Sequence, residues 1–132
     1  MSEKIAQFRF KGYKVLSSSI QIKDDNKLNT DLNIEFSRKN TIDNGKSNFK
    51  LELNTKITNN DESISINMLT VGFFDFDKEL PDGLKEIFFQ SNAVAILFPY
   101  IRAYISTLTS LSGISPITLP TLNLSKIEYS EE

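Results

Sequence analysis

Asp75 and Asp77 are the two side chains of this 132-residue chain with the clearest capacity for acid–base chemistry. They alternate in the run Phe73-Phe74-Asp75-Phe76-Asp77, and alternation along a strand would place both carboxyls on one side, about 7 Å apart. That separation falls within the range that glycosidases use. A strand that ends in two solvated carboxylates gives the same pattern, and no second motif supports catalysis. We therefore predict that the protein is not an enzyme.

The composition excludes several other chemistries. The chain has no Cys and no His, which excludes disulfides, thiol nucleophiles, Cys/His zinc sites and Ser-His-Asp triads. The clusters Asp24-Asp25-Asn26 and Asn59-Asn60-Asp61-Glu62 lack the spacing of a calcium loop and are typical of turns. A net charge of −2 gives no general reason to bind nucleic acid. We expect no cofactor, no metal and no nucleic-acid partner.

The alternation of apolar and polar side chains over residues 1–76 predicts four antiparallel strands. Phe8 and Phe10 begin the first strand, and the apolar phase slips at Gly12, which indicates a bulge. The run Ser17-Ser18-Ser19 suggests a break later in that strand, and Asn44-Gly45 predicts a hairpin between the second and third strands. Short turns between consecutive strands predict an antiparallel meander.

The second half, residues 77–132, predicts one long helix and an extended tail. A short helical turn is expected after Pro81, and Ser91 or Asn92 can cap the longer helix. Pro99 either kinks this helix or marks its start. Gly113 ends it, and a Pro-containing extended segment follows. The fold class is therefore α+β, in a single domain over residues 1–132.

The apolar surface exceeds what one sheet and one helix usually bury. From Leu69 onward the fourth strand is apolar on both faces, so we expect the helix on one face and a partner subunit or a ligand on the other. Seven aromatic residues near this end can be either core or a broad groove for extended peptides; they are Phe73, Phe74, Phe76, Phe88, Phe89, Phe98 and Tyr100.

Residues 93–111 form the one candidate for a membrane span. Arg102 lies near the centre of this stretch and Pro99 interrupts it, so we predict no span. The N-terminus lacks the apolar stretch of a secretory signal. Both observations, together with the lack of Cys, favour a cytoplasmic protein.

The helix and the tail carry a long motif. It includes Leu97-Phe98-Pro99-Tyr100, Arg102 and Ile105-Ser106, and it continues through Gly113, Pro116, Leu119-Pro120 and Asn123. This pattern resembles the segment N-x-LFPYAR-x-x-I-S, followed by G-x-PP-x-x-L-x-P-x-N-F, of the SecB family of export chaperones. Val71-Gly72-Phe73-Phe74 is also similar to the family's fourth strand. The order and lengths of the predicted elements agree over nearly the whole chain.

The resemblance implies a chaperone without enzymatic activity or cofactor. Such a protein binds unfolded client polypeptides, including preproteins, in an apolar groove, keeps them translocation-competent and hands them to the SecA motor. It assembles as a homo-oligomer, either a dimer or a dimer of dimers, through its first strand and long helix. We expect the oligomer interface on the helix stripe Leu97, Ile101, Tyr104, Ile105 and Leu108. We expect the peptide-binding groove at Leu16, Ile20, Ile22, Phe73, Phe74, Ile117, Leu119, Leu122 and Leu124.

Two departures from the family pattern leave two hypotheses for the partner of this protein. The family usually continues into a second helix and a tail, whereas this chain stops soon after Tyr129. Asn67 stands where the family has an acidic residue that contacts SecA. The alternative hypothesis is therefore a SecB-like adaptor that is dedicated to a single partner, such as an antitoxin.

Overall fold

The computed structural model describes residues 7–23, 31–120 and 130–131. Five strands form one sheet in the order β1-β4-β3-β2-β5. The strands are β1 (Phe8–Ile22), β2 (Leu32–Asp43), β3 (Asn48–Asn59), β4 (Ile64–Phe76) and β5 (Ser130–Glu131). A helical stretch between β4 and β5 consists of α1 (Asp82–Ile87), a π-helical segment (Phe88–Asn92) and α2 (Ala93–Leu111). The predicted α+β class with four antiparallel strands and one long helix is confirmed.

The strand order differs from the predicted meander. β2, β3 and β4 are joined in sequence, but β1 pairs antiparallel with β4 instead of with β2. The side chains explain this choice, because Phe8 and Phe10 lie opposite Phe76 and Phe74, which extends one apolar face across both strands. The predicted turn at Asp24-Asp25-Asn26 lies outside the described residues.

β1 is a single long strand with two irregularities. Its register against β4 shifts between Phe10 and Gly12 and again between Val15 and Ser17. Gly12 has φ of 131°, which a side-chain-bearing residue rarely adopts, so the predicted bulge is confirmed there. The serine run does not break the strand, because Ser18 and Ser19 pair in register with Met68 and Asn67.

The helix is longer than the sequence predicted. The turn after Pro81 does not stop; it continues through the π-helical segment into α2, and neither Ser91 nor Asn92 caps a helix start with its side chain. Pro99 lies inside α2, so it does not mark the start. The backbone tolerates it there because the lost hydrogen bond lies on an exposed turn of the helix.

The core lies between one face of the sheet and the helix. Alternate residues of β3 and β4, including Leu51, Leu53 and Ile66, are fully buried, and Leu97, Ile101 and Ile105 of α2 pack against them. Each such side chain contributes roughly 1.5–3 kcal/mol by its burial. The outer face of the sheet is opposite to this core.

The segment after α2 folds back onto the same core. Gly113 adopts a positive φ of 87° and ends the helix. The buried Thr109 hydroxyl then accepts the Ile117 backbone N–H at 2.8 Å. Ile117 and Leu119 are buried, and the chain reaches β2 again at β5, which runs parallel to it.

Candidate functional site

The candidate site is built on β1, which lies at one edge of the sheet. Among the described strands β1 pairs only with β4, so its other side presents unpaired backbone N–H and C=O groups. Such an edge is a template for a further strand, whether from a second copy or from an extended peptide. The strand runs over 15 residues, which is long for an exposed edge.

Aromatic side chains extend this edge onto α2. Tyr13 of β1 stacks on Tyr100 of α2 with ring centroids 4.4 Å apart, and Phe10 contacts the same tyrosine at 5.7 Å. One turn further along the helix, the hydroxyls of Tyr104 and Ser18 are hydrogen-bonded at 2.7 Å. Because Tyr13 and Tyr100 remain 41% and 40% exposed, the strand edge and the helix flank form one partly apolar surface.

Further large apolar side chains are exposed around this surface. Leu16, next to the second register shift of β1, is 52% exposed, and Leu111 at the end of α2 is 83% exposed. Leu84 and Ile87 of α1 are 40% and 53% exposed. Exposed apolar patches often mark interaction sites, so these residues define a candidate interaction surface.

Most of the aromatic cluster near the end of β4 belongs to the core. Phe49 stacks on Phe89 at 4.3 Å, and Phe8 stacks on both Phe74 and Phe88 at 4.9 and 5.2 Å. Offset stacking and tilted contacts of this kind add to the burial energy of the rings. These rings therefore pack in the core and close one end of the protomer.

Arg38 holds the π-helical segment against the sheet. Its side chain is only 3% exposed and donates to the backbone carbonyls of Phe89 and Gln90 at 2.6 and 2.8 Å. It also donates twice to the Asn40 amide oxygen. A π-helical segment displaces carbonyls from their normal helical partners, and the guanidinium satisfies two of them. The sequence analysis missed this residue, although its position two residues after Phe36 on the apolar face of β2 was a signal.

The structure separates the predicted groove residues. Leu16 is exposed and Ile20 and Ile22 are half-buried on the second half of β1. Phe73 lies on the outer face of the sheet, whereas Phe74 lies in the core.

The tail residues of the predicted groove lie elsewhere. Ile117 and Leu119 are buried in the core against the sheet. Leu122 and Leu124 are outside the described residues. Among the predicted groove residues that the structure describes, the three on β1 therefore present apolar surface at the candidate site.

The predicted oligomer interface is also divided. Leu97, Ile101 and Ile105 are fully buried in the protomer's own core, because this face of α2 packs on the sheet. Tyr104 and Leu108 are half-buried on the flank of the helix. An interface on α2 therefore has to use this flank, with Tyr100 and Leu111, and not the buried stripe.

Asp75 and Asp77 both pair with Arg9 of β1. The Arg9 guanidinium donates to Asp75 at 2.5 Å and to Asp77 at 3.0 Å, and these hydrogen bonds raise the pKa of Arg9, with Asp77 contributing most. Both carboxylates are engaged in an ion-pair cluster at the strand end, where they stabilise the β1–β4 pairing.

Asp61 has a local structural role. It accepts hydrogen bonds from the Ser63 hydroxyl at 2.7 Å and from the Ser63 backbone N–H at 3.1 Å. These bonds lower the pKa of Asp61 and close the turn between β3 and β4. Over residues 7–23 and 31–120 no group of three or more acidic side chains is placed to hold a metal ion.

The stretch from Asp82 to Leu111 is long and apolar enough to cross a membrane by length and composition. Within it, however, Leu97, Ile101 and Ile105 pack on the sheet, as in the core helix of a globular protein. The helix is therefore weak support for a span.

Comparison with solved structures shows the same fold in two other proteins. The Mycobacterium tuberculosis Rv1957 SecB-like chaperone, solved in complex with a ChAD peptide from the Rv1956 HigA1 antitoxin, superposes with a TM-score of 0.75 at 18% identity. The match covers 89% of this chain and 88% of that one. A Streptococcus agalactiae protein of unknown function gives a TM-score of 0.51 at 11% identity, covering 86% and 96% of the two chains.

Comparison of sequences identifies one relative that matches over part of the chain and one protein family that matches over most of it. The uncharacterized protein MJ0357 of Methanocaldococcus jannaschii is 47% identical over 53 residues, which are 40% of this chain and 34% of that protein. The chain thus spans about a third of the length of this curated relative. Residues 14–131 match the family described as SecB, preprotein translocase subunit SecB. Since this match covers most of the chain and the fold agrees, the protein belongs to the SecB family.

Proposed function

We propose that this protein is a molecular chaperone that binds unfolded polypeptides on apolar surface and keeps them from aggregating. The observation that carries the proposal is the combination of family membership with a long open strand edge flanked by exposed Tyr13, Leu16 and Tyr100. An edge of this kind can add an extended chain through its backbone groups without reading its sequence. That property suits clients that share no sequence motif.

The client site that we propose is the second half of β1. Leu16 is more than half exposed there, and Ile20 and Ile22 present half-buried apolar surface on the core side of the strand. Alternate side chains of an added strand would contact these residues, while its backbone pairs with β1. Ile117 and Leu119 are buried, so we propose that they support this site from the core without contacting the client.

We also propose that the protein is a homo-oligomer, a dimer or a dimer of dimers. The first half of β1 and the flank of α2, with Tyr13, Tyr100, Tyr104 and Leu108, form the interface. A two-fold interface would pair the first half of β1 with the same segment of a second copy and cover that part of the edge, while the second half stays open for a client. We place the oligomer in the cytoplasm, as for the family, where it would keep preproteins competent for export. SecA is a candidate recipient of those preproteins.

A dedicated adaptor is the second candidate function. It is favoured by one observation, which is that the solved SecB-like chaperone with TM-score 0.75 holds an antitoxin peptide. A protein of this kind would bind one partner segment in place of many unfolded clients.

Protection assays with several unrelated clients distinguish the two functions. The full chain is added to three chemically denatured proteins of different sequence as they are diluted from denaturant, and light scattering is followed. A general chaperone suppresses aggregation of all three at near-stoichiometric concentration. Protection of none would refute the chaperone proposal, and protection restricted to one partner protein would favour the adaptor.

A matched pair of variants tests the proposed position of the client site. Leu16→Asp introduces a charge at the proposed site, and we expect it to weaken protection at least about fivefold. Gln21→Asp introduces the same charge in the same strand, but on the outer face, and serves as the control. Equal protection by both variants would remove the client site from β1.

Native mass tests the oligomer. Multi-angle light scattering should give a multiple of the 15.0 kDa protomer mass. Tyr100→Asp should lower that mass, because it introduces a charge into an apolar interface, whereas Thr107→Asp on the exposed side of α2 should not. A protomer mass for the unmodified protein would refute the interface.

A further inference from the structure

The outer face of the sheet carries an apolar row that the helices do not cover. Leu69, Val71 and Phe73 alternate along β4 on this face. Val71 is only 2% exposed, yet it does not belong to the core cluster on the helical side. In register, Lys14 lies beside Val71 on β1 and Glu52 on β3. Val71 thus lies between two long charged side chains on this face, whose aliphatic stems can cover apolar neighbours.

The charged residues around this row are mainly cationic. Lys11 and Lys14 lie on the β1 side of the row, and Lys50 lies opposite Phe73 on β3. Lys39 follows on β2, opposite Glu52. Four lysines thus surround the row in a chain whose net charge is −2.

Carboxylates nearby do not neutralise all of this charge. Asp75 already pairs with Arg9 and lies 3.7 Å from the Lys11 ammonium. Asp43 accepts the Lys46 backbone N–H in the hairpin turn. Within the described part of the chain, no carboxylate lies within 4 Å of the Lys14 or Lys50 ammonium. Glu52 lies in register with Val71 and with Lys39, and Asp43 borders the Phe73 end, so these two carboxylates offset part of the positive charge. Lys14 and Lys50 provide the cationic surplus beside the row.

A depression lies at the Phe73 end of the row. Its volume is about 380 Å³, and Phe73, Lys11, Lys50, Thr41, Asn48 and Asp43 contribute to its lining. This volume is sufficient for a leucine or aromatic side chain, and two of the lining ammonium groups are within reach of carboxylates that flank such a side chain.

We propose that this outer-face patch, formed by Leu69, Val71, Phe73, Lys14 and Lys50, binds an acidic protein segment. The segment inserts an apolar side chain beside Phe73, and its carboxylates pair with the lysines around the row. Charge complementarity requires a negatively charged partner. The apolar row requires apolar side chains, which a nucleic acid lacks. A single-strand platform stacks successive bases on several aromatic faces, whereas this patch offers one phenylalanine. The patch lies on the opposite face from the helices, so it leaves the β1 client site free.

Fluorescence anisotropy with a defined probe tests the proposal. The probe is a labelled twelve-residue synthetic peptide in which Asp and Glu flank two leucines. We expect it to bind the full chain, and we expect its affinity to fall as salt is raised from 50 to 500 mM because the surface charges are screened. A peptide with Lys in place of Asp and Glu, and one with Ser in place of both leucines, should each bind at least about tenfold more weakly.

Charge reversals locate the probe on the molecule. Lys50→Glu and Lys14→Glu should each weaken binding at least about fivefold. Lys56→Glu is the matched control, because Lys56 lies on the same face of β3 but opposite Asn67, beyond the row. Circular dichroism verifies that each variant is folded, which is expected because these lysines hold no ion pair within 4 Å in the described chain.

Four results would overturn the proposal. They are absence of binding at 50 mM salt, equal binding of the Lys-substituted peptide, an equal effect of Lys56→Glu, and tighter binding of a single-stranded oligonucleotide of the same charge. Competition separates this site from the client site. An unfolded client in excess should not displace the acidic peptide, and displacement would show that the peptide merely occupies the client site.

Discussion

Two buried threonines allow a prediction in which the same substitution changes stability in opposite directions. Thr70 on β4 and Thr109 on α2 are both fully buried. The Thr70 hydroxyl has no hydrogen-bond partner among the described residues. The Thr109 hydroxyl donates to the Ile105 carbonyl at 2.8 Å and accepts the Ile117 backbone N–H at 2.8 Å. Valine has nearly the same shape as threonine but cannot form hydrogen bonds.

Thr70→Val should stabilise the protein. Thr70 lies between Val15 and Leu53 on the neighbouring strands, so the added methyl group enters an apolar site. Burying a hydroxyl without a partner costs about 1–3 kcal/mol, and the substitution removes that cost. We expect the free energy of unfolding to rise by about 1 kcal/mol, and the midpoint of thermal unfolding by about 3 °C.

Thr109→Val should destabilise the protein. It removes the acceptor of the Ile117 N–H in a buried hydrogen bond. A buried N–H group left without an acceptor costs about 1–3 kcal/mol, and the contact of the tail with α2 weakens as well. We expect a loss of about 2 kcal/mol in the free energy of unfolding.

Urea unfolding of both variants at one protein concentration measures the two effects. Equal concentration is required because assembly contributes to apparent stability. The reasoning fails if both variants shift the free energy of unfolding in the same direction. It also fails if Thr70→Val destabilises by more than about 0.5 kcal/mol, since the hydroxyl would then have a partner that we have not recognised.

Three further predictions follow from named contacts. Arg38→Met should lower the free energy of unfolding by about 3 kcal/mol, because the Phe89 and Gln90 carbonyls lose their charged donor. The control Lys39→Met, on the exposed face, should change the free energy of unfolding by less than about 0.5 kcal/mol in the same urea titration. Ile101→Ala should cost about 3–4 kcal/mol through a buried cavity, and Leu111→Ala, at an 83% exposed position, should cost little; an equal loss would contradict the assigned core. The pKa of Asp61 is lowered in the folded state, so its contribution to stability is present above the unfolded pKa of 3.8 and is lost as pH falls through the folded value. NMR titration should show that the Asp61 pKa lies below its usual value, and Ser63→Ala should raise it, because the Ser63 hydroxyl is the main cause of the lowering.

The sequence was sufficient to predict most of the local structure. Asn44-Gly45 predicted the hairpin before β3, and the alternation of Phe49, Leu51 and Leu53 in the sequence matches the buried face of that strand. The phase slip at Gly12 predicted the bulge in β1. These features depend on neighbours within a few residues, where side-chain period and backbone sterics are decisive. The family resemblance also came from a contiguous motif, and the match over residues 14–131 confirms it.

The strand that pairs with β1 could be identified only from the tertiary structure. Alternation shows that β1 has an apolar face, but it does not select between β2 and β4 as a neighbour. The match of Phe8 and Phe10 with Phe76 and Phe74 across the strands selects β4. Sequence order favoured the meander because short connections are common, and long-range packing overrode that preference.

The role of each residue in the helix stripe also required the tertiary structure. The spacing of Leu97, Ile101, Tyr104, Ile105 and Leu108 indicates one apolar stripe, but not which part of it faces the sheet and which part remains on the flank. Three of these residues are buried in the core, while Tyr104 and Leu108 are half-buried at its margin, where the Tyr104 hydroxyl is hydrogen-bonded to Ser18 of β1.

Sequence periodicity thus predicts which side chains are apolar on one face of each element. The packing of α2 across β1 and β4 determines which of these side chains are buried within the protomer. The reason is physical: amphipathicity is a property of a single element, whereas burial depends on the position of its neighbours. The open β1 edge and the cationic outer face follow from the strand order, which no local pattern specifies.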